Sequence, residues 1–128
     1  MTKFKIYIYI FLVDFFLRLI GMNFVCNRLK KVKSRIKFKD SICDIKPIYE
    51  MCDVVNTACD KHPLKEKAKC LHQSIISFYI LVKRGVPVNL CIGVSTDIFL
   101  AHAWVELSGK VINDKDSVKN NYKLIYKV

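Results

Sequence analysis

The sequence is poor in the residues that make loops and export signals. Four glycines and three prolines occur among 128 residues, while 52% of the chain is hydrophobic, which excludes a disordered or collagen-like protein. No small-residue cleavage site follows the apolar run at the N-terminus, so a secretory signal is lacking. We therefore predict one folded domain in the cytoplasm, with its thiols reduced.

Acidic residues are also scarce, since 11 Asp and Glu stand against 22 Lys and Arg for a net charge of +11. Seven of the cations fall between Arg28 and Lys39, with no acid among them. Such a block indicates an anionic partner, although a solvated basic face explains it equally well. Interleaved aromatic residues and nucleic-acid motifs are missing, so we expect no nucleic acid as partner.

Metal-binding patterns are missing as well. The six cysteines include no C-x-x-C pair, and the group formed by Cys52, Cys59 and His62 has no standard zinc spacing. We predict no metal and no cofactor, with most cysteines buried as small apolar residues.

The most apolar segment, residues 4–25, is long enough to span a bilayer. Asp14 and Arg18 lie in its middle, four residues apart, where they can pair on one helical face but would be costly in hydrocarbon. We predict a helix packed on the domain, on a partner or along a membrane interface. The basic block that follows fits a membrane-surface anchor, so membrane association through residues 4–39 stays open.

Further helices and then strands are predicted along the rest of the chain. Residues 44–60 carry apolar positions at helical spacing with Pro47 in the first turn, and residues 70–83 form an apolar stripe closed by Gly85. Stretches rich in β-branched residues predict strands at 88–94, 101–107, 110–113 and 122–128. Helices followed by an antiparallel sheet indicate the α+β class.

One cysteine and one histidine stand out as candidates for chemistry. Cys70 lies at the predicted start of a helix, where the helix dipole favours a thiolate, and Lys67 and Lys69 add positive charge. A nucleophilic thiol also needs a base beside it. His102 lies inside an apolar strand, where a titratable residue needs a partner or a role. The other nearby histidine, His72, points away from Cys70 by spacing, and we expect it at the surface.

A hairpin supplies the partner for His102. If the loop consists of residues 107–109, with Gly109 in the left-handed conformation, Asp114 pairs directly with His102. A two-residue turn would move Asp114 to the other face of the sheet. Trp104 and Glu106 share the face of His102, so they are candidates for lining a substrate groove, although Trp104 fits the core equally well. Each residue alone is better explained by packing; their order and placement favour a site.

Residues 68–114 resemble the lasso-peptide maturation proteases, the microcin-processing family within the transglutaminase-like superfamily. The matching motifs, which cover about a third of the chain closely, are Cys70-Leu71, Ser74, Lys83-Arg84-Gly85-Val86-Pro87, Ile92-Gly93-Val94, Ala101-His102-Ala103-Trp104-Val105-Glu106, Gly109 and Asn113-Asp114.

The resemblance implies a transglutaminase/papain-like core and a cysteine peptidase with Cys70 as nucleophile, His102 as base and Asp114 as orienting acid. It implies removal of the leader from a ribosomally made precursor peptide, before an ATP-dependent cyclase resembling asparagine synthetase closes a macrolactam. Because the chain has no room for a fused recognition domain, we expect a separate leader-recognition protein as partner.

On this basis we assign residues 1–40 to the apolar helix and basic segment and residues 41–128 to the catalytic domain, in one compact unit. Two alternatives remain. The same site could perform transglutaminase-type acyl transfer to an amine, or the chain could be a non-catalytic basic adaptor for membrane or nucleic acid.

Overall fold

Helices come first and strands second in the computed structural model, which describes residues 3–38, 44–61, 70–95, 101–114 and 120–128. In these ranges the helices are α1 (Lys3–Leu19), α2 (Met22–Ser34), α3 (Lys46–Lys61) and α4 (Cys70–Lys83). The strands are β1 (Val88–Val94), β2 (Ala101–Leu107), β3 (Lys110–Val111) and β4 (Lys123–Lys127). They form one antiparallel sheet in the order β3-β2-β1-β4. The predicted α+β class is confirmed. The division at residue 40 stays a prediction.

The apolar N-terminal segment forms two helices. Gly21 separates α1 from α2 with a φ of 99°, a conformation that glycine adopts without strain. The break shortens the continuous apolar helix to 17 residues. Within the described ranges, no helix has both the length and the apolar character needed to cross a membrane.

The inner side of α1 is held by both apolar and polar contacts. Ile6 and Ile10 are fully buried in the core that α1 shares with α3 and α4. Asp14 Oδ1 lies 3.2 Å from His72 Nε2 on α4. The prediction that His72 is a surface residue was wrong: it is buried, because α1 packs over this part of α4. The side chain of Arg18, the predicted partner of Asp14, lies outside the described residues.

The predicted bounds of α4 are confirmed, whereas α3 runs from Lys46 to Lys61 where residues 44–60 were predicted. Pro47 lies in the first turn of α3, where its missing N–H removes no helical hydrogen bond. At the end of α4, the Gly85 N–H donates to Val82 O (2.9 Å) and the Val86 N–H donates to Leu81 O (3.0 Å). This is the paired pattern of a Schellman motif, with Gly85 at a φ of 84°. The chain is thereby turned back at once into β1, against which α4 packs.

The hairpin between β2 and β3 differs from the predicted one. Leu107 pairs with Lys110 and Glu106 with Val111, so the loop has two residues rather than three. Ser108 and Gly109 both have positive φ, 52° and 83°, as a type I′ turn requires. The predicted register, with Glu106 opposite Lys110, was therefore wrong by one residue, because Ser108 adopts the left-handed conformation that was assigned to Gly109 alone.

Residues along β2 alternate between two environments. Ala103 and Val105 join the main core, which includes α4, while Trp104 packs in a second cluster with Cys91 and Val111. His102 and Glu106 share the Trp104 side of the strand by the two-residue period of a strand. The sheet thus has one face covered by helices and one face that carries the titratable residues.

Candidate active site

Cys70 differs from the other described cysteines in its exposure. It is half-buried at the first position of α4, whereas the rest are buried, and the five described cysteines are free thiols. Burial raises the pKa of Cys52 to about 11 and the pKa values of Cys59 and Cys91 to about 12; it also raises the pKa of Cys26. Those four thiols therefore hold their protons at neutral pH, where only a thiolate is nucleophilic. Cys43 lies outside the described residues.

His102 and Asp114 are in direct contact. The ring atom Nε2 lies 2.8 Å from Asp114 Oδ2, and the His102 side chain is 20% exposed. A carboxylate on one ring nitrogen fixes the orientation of the imidazole and the tautomer in which Nε2 carries the proton. The other nitrogen, Nδ1, is then the one that can accept a proton. Such a pair can act as a general base.

Asn113 ties this pair to α4. Its Oδ1 accepts a hydrogen bond from the Val105 N–H (2.9 Å), and its Nδ2 donates to Ser74 Oγ (2.9 Å). Its backbone carbonyl accepts a longer bond from Asn56 Nδ2 on α3 (3.4 Å). Ser74 lies one turn after Cys70, so the two share one face of α4, about 6 Å apart along the axis. Asn113 thus fixes the residue before Asp114 against the first turn of the cysteine-bearing helix.

Aromatic rings surround the imidazole. The Tyr122 ring stacks on His102 with 5.1 Å between centroids, and the Trp104 ring stacks at 6.3 Å. Gly93, opposite His102 on β1, makes room for them, because a Cβ there would lie 2.8 Å from the Cβ of Tyr122. Sequence reasoning missed Tyr122. Its position at the start of the last predicted strand was the available signal, but that position does not reveal its neighbours.

Trp104 and Glu106 were predicted to line a substrate groove. Both are buried, Trp104 at 2% and Glu106 at 9% exposure, and Trp104 Nε1 donates to Glu106 Oε2 (2.7 Å). This bond satisfies the indole N–H inside the second cluster. In the described structure both side chains pack behind His102, and their predicted contact with a substrate stays a prediction.

The order of α4 and β1 leads us to expect Cys70 and His102 at the same end of the sheet. Because the turn at Gly85 sends the chain straight back, α4 and β1 run in opposite directions, over about 21 Å and about 23 Å respectively. By these lengths we expect the first residue of α4 near the end of β1, where Gly93 pairs with His102. Among the described residues, the hydrogen bonds of His102 include the one to Asp114 and none to Cys70. Catalytic contacts are often long without substrate.

An α+β fold with a half-buried cysteine opening a helix and a His–Asp pair beside the sheet is the kind of arrangement found in peptidases and acyltransferases that use a thiol. The family model of the transglutaminase-like superfamily matches residues 11–127. The chain belongs to this superfamily, and the resemblance seen in its motifs is confirmed.

One relative adds detail to the family assignment. The microcin J25-processing protein McjB of Escherichia coli is 37% identical to this chain over 62 residues, which are 48% of this chain and 30% of that protein. The match therefore spans less than a third of the length of that relative. No solved structure matches the chain.

Proposed function

We propose that this protein is a cysteine peptidase that removes the leader from a ribosomally made lasso-peptide precursor. The contact of 2.8 Å between His102 Nε2 and Asp114 Oδ2 is the observation that carries the proposal. A carboxylate on one ring nitrogen holds the orientation and tautomer that a general base needs. His72 also contacts a carboxylate, that of Asp14, but its side chain is only 9% exposed, whereas the His102 side chain is 20% exposed. The naming of McjB as a microcin-processing protein supports the choice of substrate.

In this mechanism the Cys70 thiol gives its proton to His102 Nδ1, and the thiolate attacks the scissile carbonyl carbon. The C–N bond breaks as His102 passes that proton to the leaving amine, which leaves a thioester on Cys70. Water then loses a proton to His102 and attacks the thioester carbon. The C–S bond breaks, the leader leaves as a carboxylic acid, and His102 returns the proton to the Cys70 sulfur. Asp114 holds the ring throughout. The backbone N–H groups at the start of α4 are candidates for stabilising the oxyanion.

Cys70 is the only described cysteine that fits the nucleophile. Burial raises the pKa of the other four thiols, whereas Cys70 is half-buried. His102 is the second residue of β2 and so lies close to the end of the sheet. The Cys70 thiol therefore approaches the ring past that end, where no strand lies between them. The Asn113–Ser74 bond supports this approach, because it holds α4 close to the segment that carries Asp114.

The proposal includes the partners that such a reaction needs. A precursor peptide is the substrate, a separate leader-recognition protein presents it, and an ATP-dependent cyclase resembling asparagine synthetase uses the amine that cleavage exposes.

The test is cleavage of a precursor peptide by the purified chain together with its leader-recognition protein, followed by mass spectrometry. Cys70→Ala should abolish cleavage without changing the circular dichroism spectrum, while Cys26→Ala, which removes the same sulfur from a buried site, should leave cleavage intact. Cleavage by the Cys70→Ala variant would overturn the proposal. With a primary amine added, a product amide in place of the acid would assign the site to acyl transfer instead.

A further inference from the structure

Helix α1 is apolar on both of its sides. Its inner side is buried in the core, as Ile6 and Ile10 show. On its outer side, apolar residues recur at helical spacing and are exposed to water: Phe4 at 72%, Phe11 at 53%, Phe15 at 54% and Leu19 at 68%. A helix that is hydrophobic all round belongs in an interior or at a membrane. An exposed apolar patch of this extent marks an interaction surface.

An apolar cleft opens beside this outer side. It lies between α1, α2 and α4 and has a volume of about 410 Å³. Its lining includes the exposed side chains of Leu12 and Phe16 on α1 and of Phe24 on α2. Ile76 and Tyr79 of α4 also line it. The cleft therefore extends the exposed apolar surface of α1 toward α4.

A cationic pocket adjoins the cleft. Its volume is about 160 Å³, and its lining shares two residues, Arg28 and Val32, with the apolar cleft. The complete lining is Arg28, Lys31, Val32, Arg35, Ile36 and Lys83. Four cations around one small pocket are suited to a phosphate group, which arginine binds with paired hydrogen bonds.

We propose that the outer side of α1, the apolar cleft and the cationic pocket together form a surface, the α1–α2 face, that docks on an anionic membrane. The phosphate of an anionic phospholipid lies in the cationic pocket, one of its acyl chains enters the apolar cleft, and α1 lies in the plane of the interface with its outer side in the lipid. An apolar cleft joined to a cationic pocket matches the two halves of such a lipid.

The net positive charge of residues 1–39 favours an anionic lipid surface, and not a second copy of the chain, as the partner of this face. Residues 1–39 contain ten of the 22 Lys and Arg and one of the 11 acids, Asp14, which contacts His72. Two copies packed through this face would bring like charges together, which is unfavourable. Lys33 is not part of the face, because its Nζ points inward and donates to Val128 O at 3.3 Å.

Flotation of the full chain with vesicles tests the proposal. The chain should bind vesicles of phosphatidylcholine with phosphatidylglycerol, bind less in high salt, and bind vesicles of phosphatidylcholine alone far more weakly. The combined variant Arg28→Ala, Lys31→Ala, Arg35→Ala should bind about 100-fold more weakly, at about fivefold per cation. Its matched control is the combined variant Lys46→Ala, Lys61→Ala, Lys110→Ala, which removes three exposed cations elsewhere and should keep most of the binding.

The apolar half of the proposal has its own variant. Phe11→Ser with Phe15→Ser leaves the core untouched and should also weaken vesicle binding. The proposal would be overturned if the two triple variants lost vesicle binding equally. Equal binding to vesicles with and without phosphatidylglycerol would overturn it as well. If light scattering shows that the wild-type chain is a dimer and the double serine variant is a monomer, the face binds a second copy of the chain instead. Binding of polyglutamate without vesicle binding would assign it to an acidic protein. None of these outcomes depends on Cys70.

Discussion

Asn113 provides a quantitative test of how the candidate site is held together. Replacing Asn113 by Ala removes the acceptor of the Val105 N–H and the donor to Ser74 Oγ, both at 2.9 Å. Val105 and Ser74 are both fully buried, so water does not replace the lost partners. An unpaired buried polar group costs about 1–3 kcal/mol, which gives about 2–6 kcal/mol for the two groups. This is a large part of the stability of an ordinary domain, about 5–15 kcal/mol.

Urea unfolding of the variant measures this loss directly. Asn56→Ala is the matched control, since it removes the same atoms but only the bond of 3.4 Å to Asn113 O and a buried Oδ1 that has no partner in the described structure. We expect the control to lose about 1 kcal/mol or less. Ser74→Ala should fall between the two. If Asn113→Ala is no more destabilising than Asn56→Ala, Asn113 does not connect the helix to the sheet.

Three further perturbations follow from the described contacts. Gly93→Ala places a Cβ against Tyr122 and should cost about 1–3 kcal/mol in urea unfolding, with a red shift of tryptophan emission. Cys59→Ala should reduce the loss of unfolding free energy as the pH rises above about 9. The native thiol, whose pKa burial raises to about 12, keeps a proton that the unfolded thiol loses above about pH 9. That retained proton lowers the free energy of unfolding by about 1.4 kcal/mol per pH unit. Asp14→Asn weakens the contact with His72 and should cost about 1–3 kcal/mol in urea unfolding.

Each of these expectations has a control. Gly109→Ala also strains a glycine but meets no atom within 4 Å, so it should leave the emission of Trp104, the single tryptophan, unchanged. The alkaline effect is the difference between wild type and Cys59→Ala; equal slopes from about pH 9 to about pH 11 would contradict it. Asp53→Asn makes the same change on an exposed face of α3, and a loss equal to that of Asp14→Asn would show that the His72 contact is not specific.

The sequence predicted α3 and α4 because ends of these two helices depend on local chemistry. Pro47 suits a first helical turn and Gly85 suits the position after a last one, so the start of α3 and the end of α4 follow from single residues. Gly21 carried the same kind of signal, but the apolar residues on both sides of it indicated one segment. Exposure was harder to predict. His72 is buried because α1, more than fifty residues earlier in the chain, packs over it.

The strands were predictable as elements, but their register was not. A Ser-Gly pair fits either a two-residue turn or a longer loop, and the choice depends on whether Ser108 accepts a positive φ. The two-residue turn sets Val105 opposite Ile112 and would put Asp114 on the other face of a regular ladder. In the structure Asp114 nevertheless contacts His102. The contact was predicted through a pairing that does not exist.

Asn113 explains why the contact forms despite the register. Ile112 N–H donates to Val105 O (2.9 Å), and a regular ladder would return the bond from Val105 N–H to the Ile112 carbonyl. The Asn113 side chain accepts that bond instead. Because a side chain pairs with the β2 backbone, residues 112–114 can leave the strand after β3 and carry the carboxylate to the imidazole. The two neighbouring residues thus have different roles. The Asn113 side chain ends the strand and connects it to α4, and the Asp114 carboxylate contacts His102.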